Sequence, residues 1–464
     1  MASVLTAPLT PFRVVLISPY ELGRQPFALA HPAAHLEQAG CAVTLVDLSQ
    51  QKLDAAVLAR ADVIGLYLGM HTAARIALEA LPRLREIAPQ AHLCAYGLYA
   101  PENAEALIAL GVEQTFDGEF EEDLRAWCLS LRDHATFEPR RKTVFLKPVR
   151  SGLPALQRYA HLQMPDGSER VVGFAEASRG CKHLCRHCPV VPVYQGRFRA
   201  IPLDIVMADI AQQVAAGAQH ISFGDADFLN GPTHARRLIE RLQREFPGIS
   251  FDCTIKIEHL LEHREMLPAL AQSGCLFITT AVESVDDNVL MMLKKGHTAA
   301  DFEHAVALTR QYGITLAPTF VPFTPWTSAD SYLELLRRIV ALDLVAHVAP
   351  VQLTIRLLVP RGSALFDVPG FASLVGAFDE RLFGYPWKNP DPRVDQLQLE
   401  LQRLVASLEK APRNEVFLQI WQAAHVAFGL TAPPLVLAET LAPAQLSEPW
   451  YCCAEPTAQQ LQAF

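Results

Sequence analysis

Val171-Val172-Gly173-Phe174-Ala175-Glu176-Ala177-Ser178-Arg179-Gly180-Cys181-Lys182-His183-Leu184-Cys185-Arg186-His187-Cys188 is the stretch on which the fold turns. Its first half is an apolar run that ends in a glycine, the pattern of a buried strand leaving a sheet. Its second half sets Cys181, Cys185 and Cys188 at C-x3-C-x2-C spacing on one short, positively charged loop. Three thiolates so close in sequence converge on one point, which suits three irons of a four-iron cubane, a cluster that normally takes four cysteines. A set of three leaves one iron with an open position, as reactive metal sites have and structural ones lack. The competing reading is a zinc knuckle that recruits His183 or His187 as its fourth ligand.

Outward from this loop, apolar runs and helical patterns alternate in both directions. On the C-terminal side, strands are expected at 220–225, 249–255, 276–283, 315–320 and 351–356, separated by helices such as 203–216 and 235–246. With the strand before Cys181 they make six, an incomplete parallel (β/α)6 barrel of TIM type over 169–366. Its reactive residues belong at the C-terminal strand ends. On the N-terminal side, over 10–138, strands at 13–18, 42–47, 63–67, 92–97 and 112–116 alternate with helices. That is the pattern of a Rossmann-like parallel sheet, so the fold class is α/β throughout. Residues 139–168 are proline-rich and basic and read as a linker. Residues 367–464 form a helical C-terminal extension, clearest at 394–408 and 416–428, with a break at Pro433-Pro434.

Composition narrows the function classes. A formal net charge of −9 over 464 residues argues against a protein that tracks nucleic-acid phosphates. Half the residues are hydrophobic and 19% are charged, as in a well-buried globular chain. No secretory pattern opens the sequence and no apolar run reaches spanning length, so a cytoplasmic protein with no membrane partner is expected. Ten cysteines are too few for a disulfide scaffold. Cys41, Cys94, Cys128, Cys253 and Cys275 lie in apolar or periodic stretches and are expected as small buried hydrophobes.

The run Glu176-x-Ser178-Arg179-Gly180-Cys181-x3-Cys185-x2-Cys188 resembles the signature loop of the radical S-adenosylmethionine (SAM) superfamily. The resemblance implies a 4Fe-4S cluster on the three cysteines, with SAM chelated at the open iron. An electron from a reductant such as flavodoxin or ferredoxin then cleaves a carbon–sulfur bond of SAM. Phe223-Gly224-Asp225-Ala226-Asp227 stands where the family carries a Gly-Gly-Glu-like motif. That position implies that Gly224, Asp225 or Asp227 engages the SAM amino group, while a helix N-cap is the plain alternative. Val282-Glu283-Ser284-Val285-Asp286-Asp287, followed by Lys294-Lys295-Gly296-His297-Thr298, matches the family's next signature and implies Glu283 on the ribose hydroxyls. Arg356 and Lys256 each follow an apolar strand. Arg356 reads either as a bidentate grip on the methionine carboxylate or as a surface ion pair, and Lys256 as a cofactor contact or a surface ion pair. Thr319-Phe320-Val321-Pro322-Phe323-Thr324-Pro325 occupies the family's Gly-x-Pro-Gly-Glu-Thr position without its glycines.

The N-terminal region resembles the cobalamin-binding domain that precedes the barrel in one branch of this superfamily. The echoes are Gly69-Met70-His71-Thr72 and Asp117-Gly118-Glu119-Phe120-Glu121. The Asp-x-His-x-x-Gly pattern of histidine-on cobalamin proteins is absent, so cobalamin stands as a candidate cofactor without a histidine ligand. His31, His71 and His92 are expected as surface or loop-packing residues. Near the C-terminus, Trp450-Tyr451-Cys452-Cys453-Ala454-Glu455-Pro456 places two adjacent thiols in a polar, proline-flanked segment. Incidental thiols or a disulfide are one reading. The segment also matches the ending of the CUAEP/CCAEP-tail group of radical SAM proteins, and the layout resembles the radical SAM family of arsinothricin biosynthesis. Soft thiolates select thiophilic metalloids. The resemblance therefore implies Cys452 and Cys453 as catalytic residues that hold arsenite while the 3-amino-3-carboxypropyl group of SAM is transferred to arsenic. Two other functions fit the sequence: a cobalamin-dependent radical methyltransferase acting on an unreactive carbon or phosphorus, and a non-catalytic metalloid sensor.

Overall fold

Val14, Val15, Leu16 and Ile17 are all at most 2% exposed, and they form the centre of the first sheet. The computed structural model describes residues 11–139, 142–437, 442–448, 456 and 460–462. Strands β1 (Arg13–Ser18), β2 (Ala42–Asp47), β3 (Val63–Tyr67), β4 (His92–Tyr96) and β5 (Gln114–Phe116) pair in the order β2-β1-β3-β4-β5, every pair parallel. This is a doubly wound sheet, whose ligand crevice lies at the switch point beyond the C-terminal ends of β1 and β3. Near-continuous Val, Ile and Leu in the central strands follow from burial of both faces under helices.

The chain separates into two compact units, this one reaching to Pro154 and the second running from Ala155 to Glu455, with Leu22–Gln25 belonging to the second. The stretch expected as a linker is divided between them. In the first unit its anchor is His31, buried on the helix Phe27–Gln38. The Leu146 N–H donates to His31 Nε2 at 3.2 Å, so Nδ1 carries the proton and donates to Glu121 Oε1 at 2.7 Å. Thr143 Oγ1 donates to the other oxygen of Glu121. His31 and His71 are thus buried, whereas His92 is half exposed and pairs with Glu113.

In the second unit, β6 (His161–Gln163) turns back antiparallel onto β7 (Glu169–Ala175). A two-stranded ribbon, β8 (Ser178–Gly180) with β9 (Phe198–Ala200), follows. The parallel series then continues through β10 (His220–Phe223), β11 (Ser250–Thr254), β12 (Cys275–Glu283) and β13 (Thr315–Phe320). Ile221, Phe223, Phe251, Ile278 and Leu316 on one face are buried, the apolar side that helices such as Leu203–Ala215 and Pro232–Glu245 cover. The other face is polar. There His220 holds Asp252 Oδ1 at 2.9 Å and Ser250 Oγ at 2.8 Å, with Phe277 stacked on its ring.

The sheet differs from the expected six-stranded barrel at both edges. The segment expected as a sixth strand is a 3-10 turn, Pro350–Leu353, and only a single bridge, Phe323 to Arg356, continues the ladder. Pro350 at the first helical position starts the turn. Gln352 then uses its side chain, not a backbone carbonyl, to take the Phe320 N–H at 3.1 Å. At the opposite edge, β14 (Gln445–Leu446) pairs antiparallel with β6. The C-terminal helices are Pro392–Ser407 and Arg413–Ala427. Cys41, Cys94, Cys128, Cys253 and Cys275 are buried free thiols. Among the described residues no helix is long and apolar enough to cross a membrane.

Candidate cluster and cofactor site

β7 delivers the chain to the C-terminal end of the parallel sheet, and the ribbon β8–β9 brackets the cysteine loop that follows. Gly180 makes the entry turn with φ +80°. A Cβ there would lie 2.4 Å from the Arg197 carbonyl oxygen and 2.5 Å from the Tyr194 ring. Only glycine combines that dihedral with that approach. The loop is then stapled at three points. Cys181 N–H donates to Arg197 O, Lys182 N–H to the buried Asn230 Oδ1, and Arg186 N–H to Leu293 O, each at 3.0–3.1 Å.

Cys181, Cys185 and Cys188 are free thiols. Burial pushes Cys181 up to about 11, although the His183 N–H favours its thiolate, and pushes Cys188 up to about 12 against the Val190 N–H. The charge of each thiolate also opposes the others. A cationic partner among the sulfurs offsets this cost for Cys181 and Cys188, which is what iron supplies. The three thiols therefore fit an iron–sulfur cluster of the kind expected. His183 and His187 turn away from the role of fourth ligand, each being engaged by a carboxylate.

Glu283 ends β12 with φ +68°, a strained setting for a side chain longer than Asn or Asp. Its Oε1 accepts from Lys295 Nζ and His187 Nε2, both at 3.1 Å. Burial opposes its ionisation, but the Lys295 ammonium and His187 outweigh burial and hold the carboxyl at about 2. The expected ribose contact is therefore a fixed anion tied directly to the cysteine loop.

The residues after β10 divide into three roles. Gly224 lets the backbone pass the Phe174 ring, since a Cβ would stand 2.1 Å from it. Asp225 accepts from Ser178 Oγ at 2.5 Å and Ala177 N–H at 2.9 Å, so it braces β8, and burial raises it to about 7 in spite of both bonds. Asp227 is fully buried. Its Oδ1 caps the turn at Leu229 N–H, and its Oδ2 meets Lys256 N–H at 3.2 Å, His259 Nδ1 at 3.0 Å and His183 Nε2 at 3.3 Å. Neither carboxylate presents an unengaged oxygen to an amino group. Lys256 precedes the helix Ile257–Glu262, and its Nζ bonds Glu258 at 2.6 Å and lies 3.2 Å from His183 Nδ1. Arg356 is committed elsewhere. Nη1 donates to Asp395 at 2.6 Å, Nη2 donates to Trp387 O, and the guanidinium stacks 3.5 Å above the Trp387 ring. Its fork is thus occupied by the C-terminal extension, the ion-pair alternative. Cys452 and Cys453 lie outside the described residues. Glu448, the described residue nearest before them, lines a cavity with Thr279, Thr319 and Arg413 on the polar face of the sheet.

In the first unit, the loops after β3 and β4 meet across Tyr67. A Cβ on Gly69 would overlap its ring, and one on Gly97, at φ +109°, would come within 2.9 Å. Ser18 ends β1 at the switch point with a fully buried Oγ that has no hydrogen-bond partner among the described residues. An orphaned hydroxyl at that position fits an occupant of the crevice that brings a polar atom.

His259 and Asn230 escaped the sequence reading. Their signals were a histidine in the first turn of a short helix after a strand, and an asparagine closing the Asp227 turn.

Residues 176–336 match the family model described as the radical SAM superfamily. Among curated proteins, the chain is 24% identical over 210 residues to a tRNA-2-methylthio-N(6)-dimethylallyladenosine synthase of Aliivibrio fischeri, covering 42% of this chain and 44% of that one. It is 25% identical over 194 residues to the enzyme of that name from Haemophilus influenzae, covering 39% and 40%. The chain thus spans less than half the length of these relatives. Among solved structures it is similar to the cobalamin-dependent SAM radical enzyme OxsB with aqua-cobalamin and SAM bound, with a TM-score of 0.70 at 15% identity over 90% of this chain and 72% of that one. It is also similar to the radical SAM methyltransferase TsrM from Kitasatospora setae with cobalamin and a 4Fe-4S cluster bound, at 0.56 and 17% over 72% and 71%. At these identities the likeness is one of fold. The match to this superfamily of enzymes covers residues 176–336, about a third of the chain, and supports a catalytic protein.

Proposed function

We propose that this chain is a cobalamin-dependent radical SAM transferase that moves a methyl group to an unactivated carbon or phosphorus of a small molecule. The observation that carries this reading is the C-x3-C-x2-C loop of free thiols at the C-terminal end of a parallel sheet. It is joined by a doubly wound sheet with an orphaned hydroxyl at its switch point. Cys181, Cys185 and Cys188 would hold the cluster, which when bound supplies the electron that cleaves SAM. Glu283, fixed as an anion by Lys295 and His187, accepts hydrogen bonds from ribose hydroxyls, and Gly224 lets the backbone approach. The first-unit crevice near Ser18, Gly69 and Gly97 would hold cobalamin. Support comes from the fold likeness to OxsB and TsrM, both solved with cobalamin. A tRNA substrate, named in the titles of the curated relatives, fits poorly with a net charge of −9.

A second reading is favoured by Cys452-Cys453 and by the place of Glu448 beside the cavity on the polar sheet face. Here the vicinal thiols bind arsenite and the 3-amino-3-carboxypropyl group is transferred to arsenic. One experiment separates the two. The purified, anaerobically reconstituted chain is incubated with SAM and reductant, with and without arsenite, and all SAM fragments and arsenic species are resolved by mass. Cobalamin content is measured on the same sample. Bound cobalamin with S-adenosylhomocysteine or 5′-deoxyadenosine supports the first reading. Methylthioadenosine with a new organoarsenical supports the second. Intact SAM from a chain that holds its cluster removes both.

A further inference from the structure

His183 Nε2, His259 Nδ1 and Asp227 Oδ2 form a nearly equilateral triangle beside the cysteine loop. The sides are 3.3 Å between the two nitrogens, 3.3 Å from His183 to the carboxylate and 3.0 Å from His259 to it. Asp227 is fully buried and His259 is 6% exposed. Protons can hold this triangle together when both nitrogens donate to Asp227 Oδ2, with two N–H groups crowded onto one oxygen that also takes the Lys256 N–H. If His183 donates to His259 instead, the His259 lone pair faces the carboxylate. One cation among the three atoms relieves every pair at once. Donors held at about 2.0–2.1 Å from one ion stand about 2.8–3.0 Å apart in an octahedral arrangement and about 3.3–3.4 Å apart in a tetrahedral one, and the sides found fall at these spacings.

The surroundings are those of a ligand set. Asp227 is oriented through its other oxygen by Leu229 N–H. Behind His183, Nδ1 lies 3.2 Å from Lys256 Nζ and 3.4 Å from Glu258 Oε2, with Lys256 holding Glu258 at 2.6 Å, and donation of Nδ1–H to Glu258 is the carboxylate–histidine arrangement that leaves Nε2 to ligate. Two imidazoles and one carboxylate suit a divalent first-row ion such as zinc or ferrous iron. The geometry points to His183, Asp227 and His259 as a second metal centre, separate from the three cysteines, that binds one such ion. Three protein ligands leave coordination positions open, so the centre takes an exogenous oxygen ligand, a carboxylate or oxyanion, as a Lewis acid does. This goes beyond the proposed transferase reading and does not need it. His183 links the two centres, since it lies between Cys181 and Cys185.

The test uses the full chain with Cys181, Cys185, Cys188, Cys452 and Cys453 all changed to Ser, titrated with Co2+. One equivalent per chain is expected, with ligand-field absorption of a nitrogen and oxygen site and no thiolate charge-transfer band. His259→Gln and Asp227→Asn should each abolish uptake. His263→Ala should retain it, which separates this site from the more exposed His259, Glu262 and His263 grouping. In the parent chain with its cluster, elemental analysis should find one further divalent ion per chain, zinc or iron beyond that matched by sulfide, that His259→Gln lacks at unchanged sulfide content. Full uptake by His259→Gln overturns the assignment. So does no uptake by a quintuple variant whose circular dichroism matches the parent, whatever the outcome of the SAM-cleavage assay.

Discussion

His187, between Cys185 and Cys188, bonds Glu283 at the end of β12, Nε2 to Oε1 at 3.1 Å. Lys295 meets the same oxygen at the same distance. One buried anion therefore links the loop expected to carry the cluster to the strand expected to carry the nucleoside.

Lys295 and Glu283 are 3% and 6% exposed, so Lys295→Met leaves an uncompensated buried carboxylate. Breaking a buried pair in this way costs roughly 3–5 kcal/mol. Glu283 is held at about 2 against an ordinary 4.5, a depressed value. Its stabilisation is thus complete above the ordinary value and disappears as pH falls through the folded one. Denaturant midpoints of parent and Lys295→Met should differ by a constant amount above that window and converge below it. A gap that is independent of pH would show that the pair is not the source.

Gly180 and Gly167 share a φ of +80°, yet a Cβ on Gly180 meets the Arg197 carbonyl and Tyr194, while one on Gly167 meets nothing within 4 Å. The dihedral penalty is common to both, and the clash belongs to Gly180 alone. Gly180→Ala should therefore lose stability by about 1–3 kcal/mol more than Gly167→Ala. It should also lower iron incorporation, which Gly167→Ala should not. Equal losses of stability and iron in the two variants would mean that the loop entry tolerates a side chain.

Asp225 sits at about 7 against an ordinary 3.8, raised by burial. Between those values the folded chain binds a proton that the unfolded chain has released, so stability falls as pH rises across the window. Asp225→Asn does not titrate. Its stability relative to the parent should improve steadily over that range, measured as the difference in denaturant midpoint. A flat difference would place the carboxylate in its ordinary ionised state.

Arg356 spends its fork on Asp395 and Trp387, and its plane on the Trp387 ring. Arg356→Met should lower thermal stability while leaving the SAM dissociation constant unchanged. Arg356→Lys should rescue little of it, because an ammonium neither forks nor stacks as a guanidinium does. A weakened SAM affinity at unchanged stability would restore the carboxylate-grip reading.

The strands were legible wherever burial on both faces writes a continuous apolar run, as in Val14–Ile17 and in Ile278 with its neighbours. The cysteine loop was legible because ligand spacing is local. The sixth strand was not, because Val351-Gln352-Leu353 carries strand-like residues while Pro350 just before them fixes a helical turn. Arg356 misled for a related reason. Position after a strand says where a side chain starts, and the partner that takes its fork, Asp395, lies 39 residues on. His259 was invisible because nothing in its own segment announces Asp227 and His183, which reach it only through the packing of β10, β11 and the loop.

β14 closes one edge of the second sheet against β6, and Ser447 Oγ accepts from His161 N–H across 286 residues of chain. Translation therefore exposes β6 long before its cover exists. For most of synthesis the hairpin β6–β7 presents an unpaired edge, the kind of template that recruits other nascent chains. A ribosome stalled ahead of residue 445 should hold a sheet open on that side, with the cysteine loop already emerged.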